Sequence, residues 1–466
     1  MPLFTVPEIA KALGQSYKGP RNAVTGVSID TRTLQKGDLF IALAGTPSGG
    51  FTSSFASAGD GHNFLTQAAH KGASCAIVSR PQPGLAIPQL VVDDTLMQGL
   101  WKLAAYARTR FNGKLIGLTG SAGKTTTKEM LAAMLGAPAS VASYNNFWGV
   151  PLTLCRIPQN AAYAIVEMGM NQPGEIARLS TLARPHVALV VNVHPVHLEH
   201  LGSLDAIRRE KLSIAEGLEE GGTLVIPHDL ALNGTPWSGT ILRFGGDADV
   251  HATGYAAQPD GSWHVTALAE GRQVEMILKD GAPHRLHNAV AALAAAYAAG
   301  ANLKKAAAGL EKAGTMAGRG TLHHVAGVTM IDDSFNGNPA SITAALQSLA
   351  GRPVQGRRFA ILGDMLELGG DAPLYHAALA QHCKGIDGVY CVGPLMQHLY
   401  NGLPTAQRWG WAENPESLNI AAIARHLNSG DALLLKGSKK MLYAHKIPQK
   451  LIQHLTELDS IPASHV

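Results

Sequence analysis

The segment LIGLTGSAGKTTTKEM, Leu115–Met130, constrains this chain more than any other. An apolar run enters a Gly-rich turn at Gly120 and Gly123, and Lys124 and Thr125 then open a stretch of strong helix formers. A strand that passes straight into a helix begins a βα unit, and such units build parallel sheets covered by helices. The turn also carries chemistry. Glycines let backbone N–H groups approach phosphate oxygens, and the helix N-terminus adds partial positive charge. Lys124 is placed to reach terminal phosphates, and the Thr125 hydroxyl to hold Mg²⁺. The expected nucleotide-binding residues are Gly120, Ser121, Ala122, Gly123, Lys124, Thr125 and Thr126. The strict G-x-x-x-x-G-K-[ST] pattern wants glycine at Leu118, and Gly117 lies one residue out of register. The TGxxGKTTT form is a variant of that loop. A Gly-rich turn without nucleotide is the plain alternative, against which stand the strand before it, the helix after it and GKT at the junction.

The same rhythm of short apolar runs and helical stretches fills the chain, predicting an α/β protein. Before the phosphate loop, GDLFIALAG, AIVS and LVVDD read as strands, separated by the Gly/Ser-rich TPSGGFTSSFASAGDGH loop. Leu96, Leu100, Leu103, Ala104 and Ala107 recur at helical spacing. A first domain is therefore expected over residues 1–92. After the loop, AAYAIVEMG and HVALVVNV read as further parallel strands, and Ala-rich helices from Asn288 to Ala313 close a central domain over 93–314. VTMIDDS, RFAILGD, GVYCVG and ALLLKGS, each followed by a helical stretch, predict a smaller doubly wound domain over 315–466.

At 466 residues and 15% charged side chains, the chain suits a folded protein of several domains. The formal charge of +4 is spread without a dense basic run, so charge gives no ground for nucleic-acid binding. Cys75, Cys155, Cys383 and Cys391 form no CxxC pair, so reduced thiols are expected. The N-terminus lacks the pattern of a signal peptide, and the Ala-rich stretch from His287 is broken by Gly300, so a packed helix is expected rather than a membrane span.

Further motifs occur in order: YNNFWGVPLTL, EMGM, NVHPVHLEHLGS, HNAVAAL, IDDSFNGNPAS, LGDMLELG and LLKGSKKM. Together with the phosphate loop they resemble the Mur ligase family. IDDSFNGNP and GDMLELG match best the branch that adds D-alanyl-D-alanine to a UDP-linked muramoyl tripeptide. The resemblance runs from about Ser28 to about Met441. It implies three domains: an N-terminal α/β domain holding UDP, a central P-loop ATPase domain with a mostly parallel sheet, and a Rossmann-like C-terminal domain. It also implies a cytoplasmic, monomeric enzyme that uses ATP and two Mg²⁺ ions. The expected substrates are UDP-N-acetylmuramoyl-tripeptide and D-alanyl-D-alanine.

The residues carry bland readings as well. Glu167 ends a strand, where a carboxylate serves as a surface charge or cap; the resemblance makes it a Mg²⁺ ligand. His197 is one of 20 histidines, flanked by His194 and His200, and only the resemblance marks it as a metal ligand. Lys211 reads as a solvated helix lysine, whereas the resemblance implies a CO₂-derived carbamate that turns a cation into an oxygen donor. Asn288 reads either as a helix cap or, by resemblance, as an adenine contact. Arg319 can neutralise a γ-phosphate, and the resemblance places Asp333 and Asn336 near the nucleotide. Ser28, Asp30, Thr31 and Arg32, with Asn145 and Asn146, are the expected contacts to the UDP-sugar. Lys128, on the phosphate-loop helix, carries no expected role. Lys124, Lys211, His197 and Arg319 are the expected catalytic set. The rivals are a sister ligase that adds another amino acid or extends folate, and a P-loop ATPase without ligase activity.

Overall fold

The apolar runs around the phosphate loop become the strands of one sheet. In the computed structural model, which describes residues 2–45, 48–51, 59–196, 198–235, 237–259, 261–279, 281–314 and 317–460, that sheet has eight strands. Its order is Arg272–Leu278, Trp263–Ala269, Val250–Ala257, Thr240–Phe244, Thr223–Pro227, Val187–Val190, Lys114–Thr119 and Tyr163–Glu167. The last five are mutually parallel. Val187–Val190 is buried at every residue, as expected for a strand with helices on both faces.

The first three strands form an antiparallel meander, which the repeated strand–helix rhythm did not predict. Its cause is legible afterwards. Val265, Ala267 and Ala269 alternate with more exposed residues, as do Val274, Met276 and Leu278. Glu270 and Gly271, both at positive φ, make the two-residue turn between them. Such strands bury one face only.

The N-terminal segment contributes a separate four-stranded parallel sheet in the order Val27–Ser28, Leu39–Ile41, Cys75–Val78, Gln89–Val91. The helix expected after Asp94 begins as a π-helical stretch, Thr95–Trp101, and continues as α-helix over Lys102–Arg110. Asp94 caps it by accepting the Leu96 and Met97 amides.

The chain divides into two compact units. One comprises Met1–Asn192, Arg208–Asp280 and His287–Ala313, and the other Val193–Ile207, Gly281–Leu286 and Gly314–Val466. The second contains a six-stranded sheet ordered Thr321–Val325, Val328–Asp333, Ala432–Lys436, Arg358–Gly363, Gly388–Val392, Arg408–Ala412. All neighbours are parallel except the first pair. Strand periodicity sorts its core: Ala360, Leu362 and Leu434 pack with Ile342 and Leu346, while Phe359, Ile361, Leu433 and Leu435 pack with Ile447 and Leu451. Among the described residues, no helix is long and apolar enough to cross a membrane.

Candidate active site

The phosphate-loop helix runs over Lys124–Leu135, beginning where the sequence places it. Gly123 precedes it at φ +73, and a Cβ there would lie 2.5 Å from Asn288 Oδ1. Both glycine properties are thus used: the left-handed backbone and the absent side chain. Lys124 Nζ donates to the Gly120 carbonyl at 2.7 Å, so the lysine curls over its own turn. The first amides of a helix have no intrahelical partner and are available to a ligand.

Asn192 holds the turn from behind. Its Oδ1 accepts the Ser121 amide at 3.0 Å and the Ala122 amide at 2.9 Å, and its Nδ2 donates to the Ala122 carbonyl. Sequence reasoning gave Asn192 no part, although NVHPVH follows a parallel strand, where loops meet ligands.

Glu167 sits beneath the helix, 1% exposed. Its Oε1 accepts from Thr125 Oγ1 at 3.2 Å and from Asn145 Nδ2 at 2.8 Å. Its Oε2 is buried and accepts no hydrogen bond from any described residue. The surface-charge reading of Glu167 therefore fails. An orphaned carboxylate oxygen beside a threonine hydroxyl suits a hard cation that takes its other oxygens from phosphate and water. Among the described residues, no group of three or more His, Cys, Asp or Glu forms a metal cage. His197 lies outside the described residues.

Lys211 is 2% exposed, which rules out the solvated-lysine reading. Burial first, and the Lys124 ammonium second, push its amine well below the ordinary lysine range, against the opposing pull of Glu210. Glu210 accepts the Gly174 and Ile176 amides at 2.7 and 3.0 Å, anchoring the helix that carries Lys211.

Asn288 is not a helix cap. Its helix begins at Pro283, a residue preorganised for a first turn, so Asn288 lies more than one turn inside. His287 Nε2 pairs with the Val191 carbonyl at 2.9 Å.

Lys128 departs most from expectation. It is fully buried, and its Nζ donates to the carbonyls of Ser140 and Ala142 at 2.7 and 2.5 Å. It also stands 3.0 Å from Glu129 Oε1 and 3.8 Å from Glu167 Oε2. Its spacing gave a signal: four residues past Lys124, it shares that lysine's face of the helix.

The expected UDP-sugar contacts are largely knit into their own fold. The Ser28 hydroxyl donates to the Asp30 carbonyl, and Thr31 Oγ1 donates to Gln67 Oε1 at 2.6 Å. Asp30 and Arg32 pair through Nη2–Oδ2 at 2.6 Å, which holds the Asp30 carboxyl below its usual range. The Arg32 side chain is exposed. Asn146 Oδ1 accepts the Gly149 amide at 3.0 Å, at the start of helix Gly149–Arg156.

In the second unit, Lys436 Nζ meets Asp333 Oδ2 at 2.6 Å and the Asn336 carbonyl at 3.1 Å. The Arg319 guanidinium lies over the Phe335 ring, 4.2 Å from its centroid. Asn338 caps helix Pro339–Gly351 through the Ser341 amide.

Residues 118–296 match the Mur ligase middle domain, and residues 318–439 the Mur ligase glutamate ligase domain. The UDP-N-acetylmuramoyl-tripeptide--D-alanyl-D-alanine ligase of Escherichia coli K12 is 35% identical over 403 residues, covering 84% of this chain and 86% of that protein. The Bacillus subtilis ligase of the same name is 32% identical, covering 94% of this chain and 96% of that protein. A crystal structure of MurF from Acinetobacter baumannii superposes with a TM-score of 0.81 at 30% identity, covering 97% of this chain and 99% of that one. MurF from Thermotoga maritima in complex with ADP superposes with a TM-score of 0.75 at 26% identity, covering 93% and 97%. The chain belongs to the Mur ligase family, in its MurF branch.

Proposed function

We propose that this chain joins D-alanyl-D-alanine to the terminal carboxylate of a UDP-N-acetylmuramoyl-tripeptide at the expense of ATP, a cytoplasmic step of peptidoglycan synthesis. The observation that carries the reading is the Gly120–Thr125 turn stacked on a buried Glu167 whose Oε2 lacks a hydrogen bond from any described residue. Relatives bearing that substrate name over nearly their whole length support it.

The chemistry begins with the tripeptide carboxylate attacking the γ-phosphorus of ATP, giving an acyl phosphate and ADP. The dipeptide ammonium gives up a proton to solvent, the neutral amine attacks the acyl carbon, and phosphate leaves as the amide forms with release of a second proton. Every early participant is anionic, so catalysis is mostly positioning and charge neutralisation. Lys124 and the helix N-terminus neutralise the phosphates, and Asn192 keeps their turn in shape. Thr125 and Glu167, with His197, would hold Mg²⁺, which supplies positive charge at the phosphate oxygens. Asn288 borders the nucleotide side of the turn. Arg319, Asp333 and Asn336 are the second unit's candidates for contacts to ATP.

Lys211 is the candidate carbamate. A lysine reacts with CO₂ only as the neutral amine, and its burial beside Lys124 favours that form. The product would replace this amine with an anion whose two oxygens could help hold Mg²⁺. Ser28, Asp30, Thr31, Arg32, Asn145 and Asn146 are assigned to the UDP-sugar. Function is thereby divided among residues 1–92, 93–314 and 315–466.

The test is product mass and phosphate release with ATP, Mg²⁺ and the UDP-linked tripeptide, comparing D-alanyl-D-alanine with free D-alanine and glutamate. The reading expects the dipeptide to be fastest and to appear whole in the product. Faster turnover with a free amino acid would replace it with a sister ligase.

A further inference from the structure

A buried ammonium is costly unless it is fully engaged, and the fully buried Lys128 is engaged by three separate parts of the chain. It extends from the phosphate-loop helix. Its two carbonyl acceptors, Ser140 and Ala142, lie in the connection that leads to helix Gly149–Arg156. Its remaining neighbours are Glu129 and the Glu167 oxygen that accepts no hydrogen bond from any described residue, at the end of strand Tyr163–Glu167.

The connection is not a relaxed loop. Ala142 sits at φ +47, a left-handed conformation that a side-chain-bearing residue seldom adopts unless its surroundings impose it. That turn brings two carbonyls to one ammonium. The segment is tied to the strand end at two further points: Ser140 Oγ accepts the Glu167 amide at 3.0 Å, and the Asn145 carbonyl accepts the Gly169 amide at 2.7 Å. Between these ties lies Ser143, whose Oγ is 3.5 Å from Thr125 Oγ1, and the Asn145 side chain also donates to Glu167. The segment is therefore held against both the phosphate-loop helix and the strand end at Glu167, and it carries Asn145 and Asn146, two of the residues assigned to the UDP-sugar.

We propose that Lys128 is a positioning residue that latches residues 140–146 onto the phosphate-loop helix, presenting Asn145 and its neighbours to the UDP-linked substrate. Lys128 touches no substrate itself. It holds the left-handed turn at Ala142 and, at 3.8 Å, keeps a fixed cation beside Glu167. The identity of the substrate rests on the ligase reading above; the latch itself does not.

The test uses the full chain carrying Lys128→Met, which keeps the length and removes the ammonium. Two quantities are compared with wild type: hydrogen exchange of the amides in 140–146 with no ligand present, and the separate KM values for ATP and the UDP-linked tripeptide. Losing hydrogen bonds to a charged donor corresponds to roughly a tenfold change or more. Exchange in this segment is expected to quicken about tenfold, and KM for the UDP-linked substrate to rise by a similar factor. KM for ATP is expected to stay within about twofold. Unchanged exchange, or a fall in kcat with both KM values unmoved, overturns the proposal. If Lys128→Met does not fold, Lys128→Gln, which is uncharged and one atom too short to hold both carbonyls, is judged by the same criteria. Wild-type enzyme that fails to turn over the UDP-linked substrate would count against the ligase reading instead, and the exchange measurement would still decide the latch.

Discussion

Asn288 Oδ1 occupies the space that a side chain on Gly123 would need, only 2.5 Å from the position of its Cβ. The helix Pro283–Ala298 thus closes directly on the phosphate turn. Gly123→Ala would meet this clash and also a φ of +73, which alone costs about 1 kcal/mol. The expected result is a loss of ADP affinity of roughly tenfold or more, measured by calorimetry. Asn288→Ala in the same background should recover only part of it, because the backbone strain remains. Wild-type affinity in Gly123→Ala would show that this turn does not cradle phosphate.

Lys211→Ala should abolish most turnover, whereas Lys102→Ala, at an exposed position, should leave it within about twofold, as surface substitutions commonly do. Added acetate or formate should restore part of the Lys211→Ala rate by supplying carboxylate oxygens. Steady-state assays with and without the acid distinguish the outcomes. Wild-type rate in Lys211→Ala at saturating Mg²⁺ would end the carbamate assignment.

Burial pushes the Asp60 carboxyl up, but hydrogen bonds from the His62 amide and ring and from Arg80 outweigh it and bring the carboxyl to about 2. The ordinary value is 3.8. A depressed folded-state value contributes stability above the unfolded value, and that contribution is lost as pH falls through the folded one. Asp60→Asn should therefore be less stable than wild type at pH 6, and the gap should close between about pH 4 and pH 2. Urea midpoints of both proteins across that range provide the check. A gap that is constant with pH would mean that the carboxylate's charge contributes nothing.

In the second unit, Lys436 is buried against Asp333, with Nζ–Oδ2 at 2.6 Å. Removing one partner of such a pair strands the other, and because Asp333 is partly exposed the expected cost is about 2 kcal/mol. Lys436→Met should show that loss in chemical denaturation. It should also weaken ATP binding if Asp333 and Asn336 contact the nucleotide, since Lys436 holds both.

Local signals made much of this legible in the sequence. The strand, the turn and the start of the phosphate-loop helix at Lys124 follow from glycine placement and apolar runs. The parallel strands follow from continuous burial. Residues whose environment is set by distant chain segments were harder to read. Lys128 carries no expected role until the carbonyls of Ser140 and Ala142, a dozen or more residues away, are brought to it. Asn192 reads as part of a loop until it meets the Ser121 and Ala122 amides. Asn288 reads as a cap only if Pro283 is overlooked as the helix start. The meander was hidden by its small and polar residues, which dilute period-two alternation.

Amide formation through an acyl phosphate leaves an isotopic trace in the released phosphate. The terminal carboxylate of the UDP-linked tripeptide is labelled with heavy oxygen and turned over with ATP and D-alanyl-D-alanine, and the released inorganic phosphate is examined by mass spectrometry. One heavy oxygen is expected to pass from each carboxylate to phosphate while the other stays in the new amide. Product formation with wholly unlabelled phosphate would contradict it.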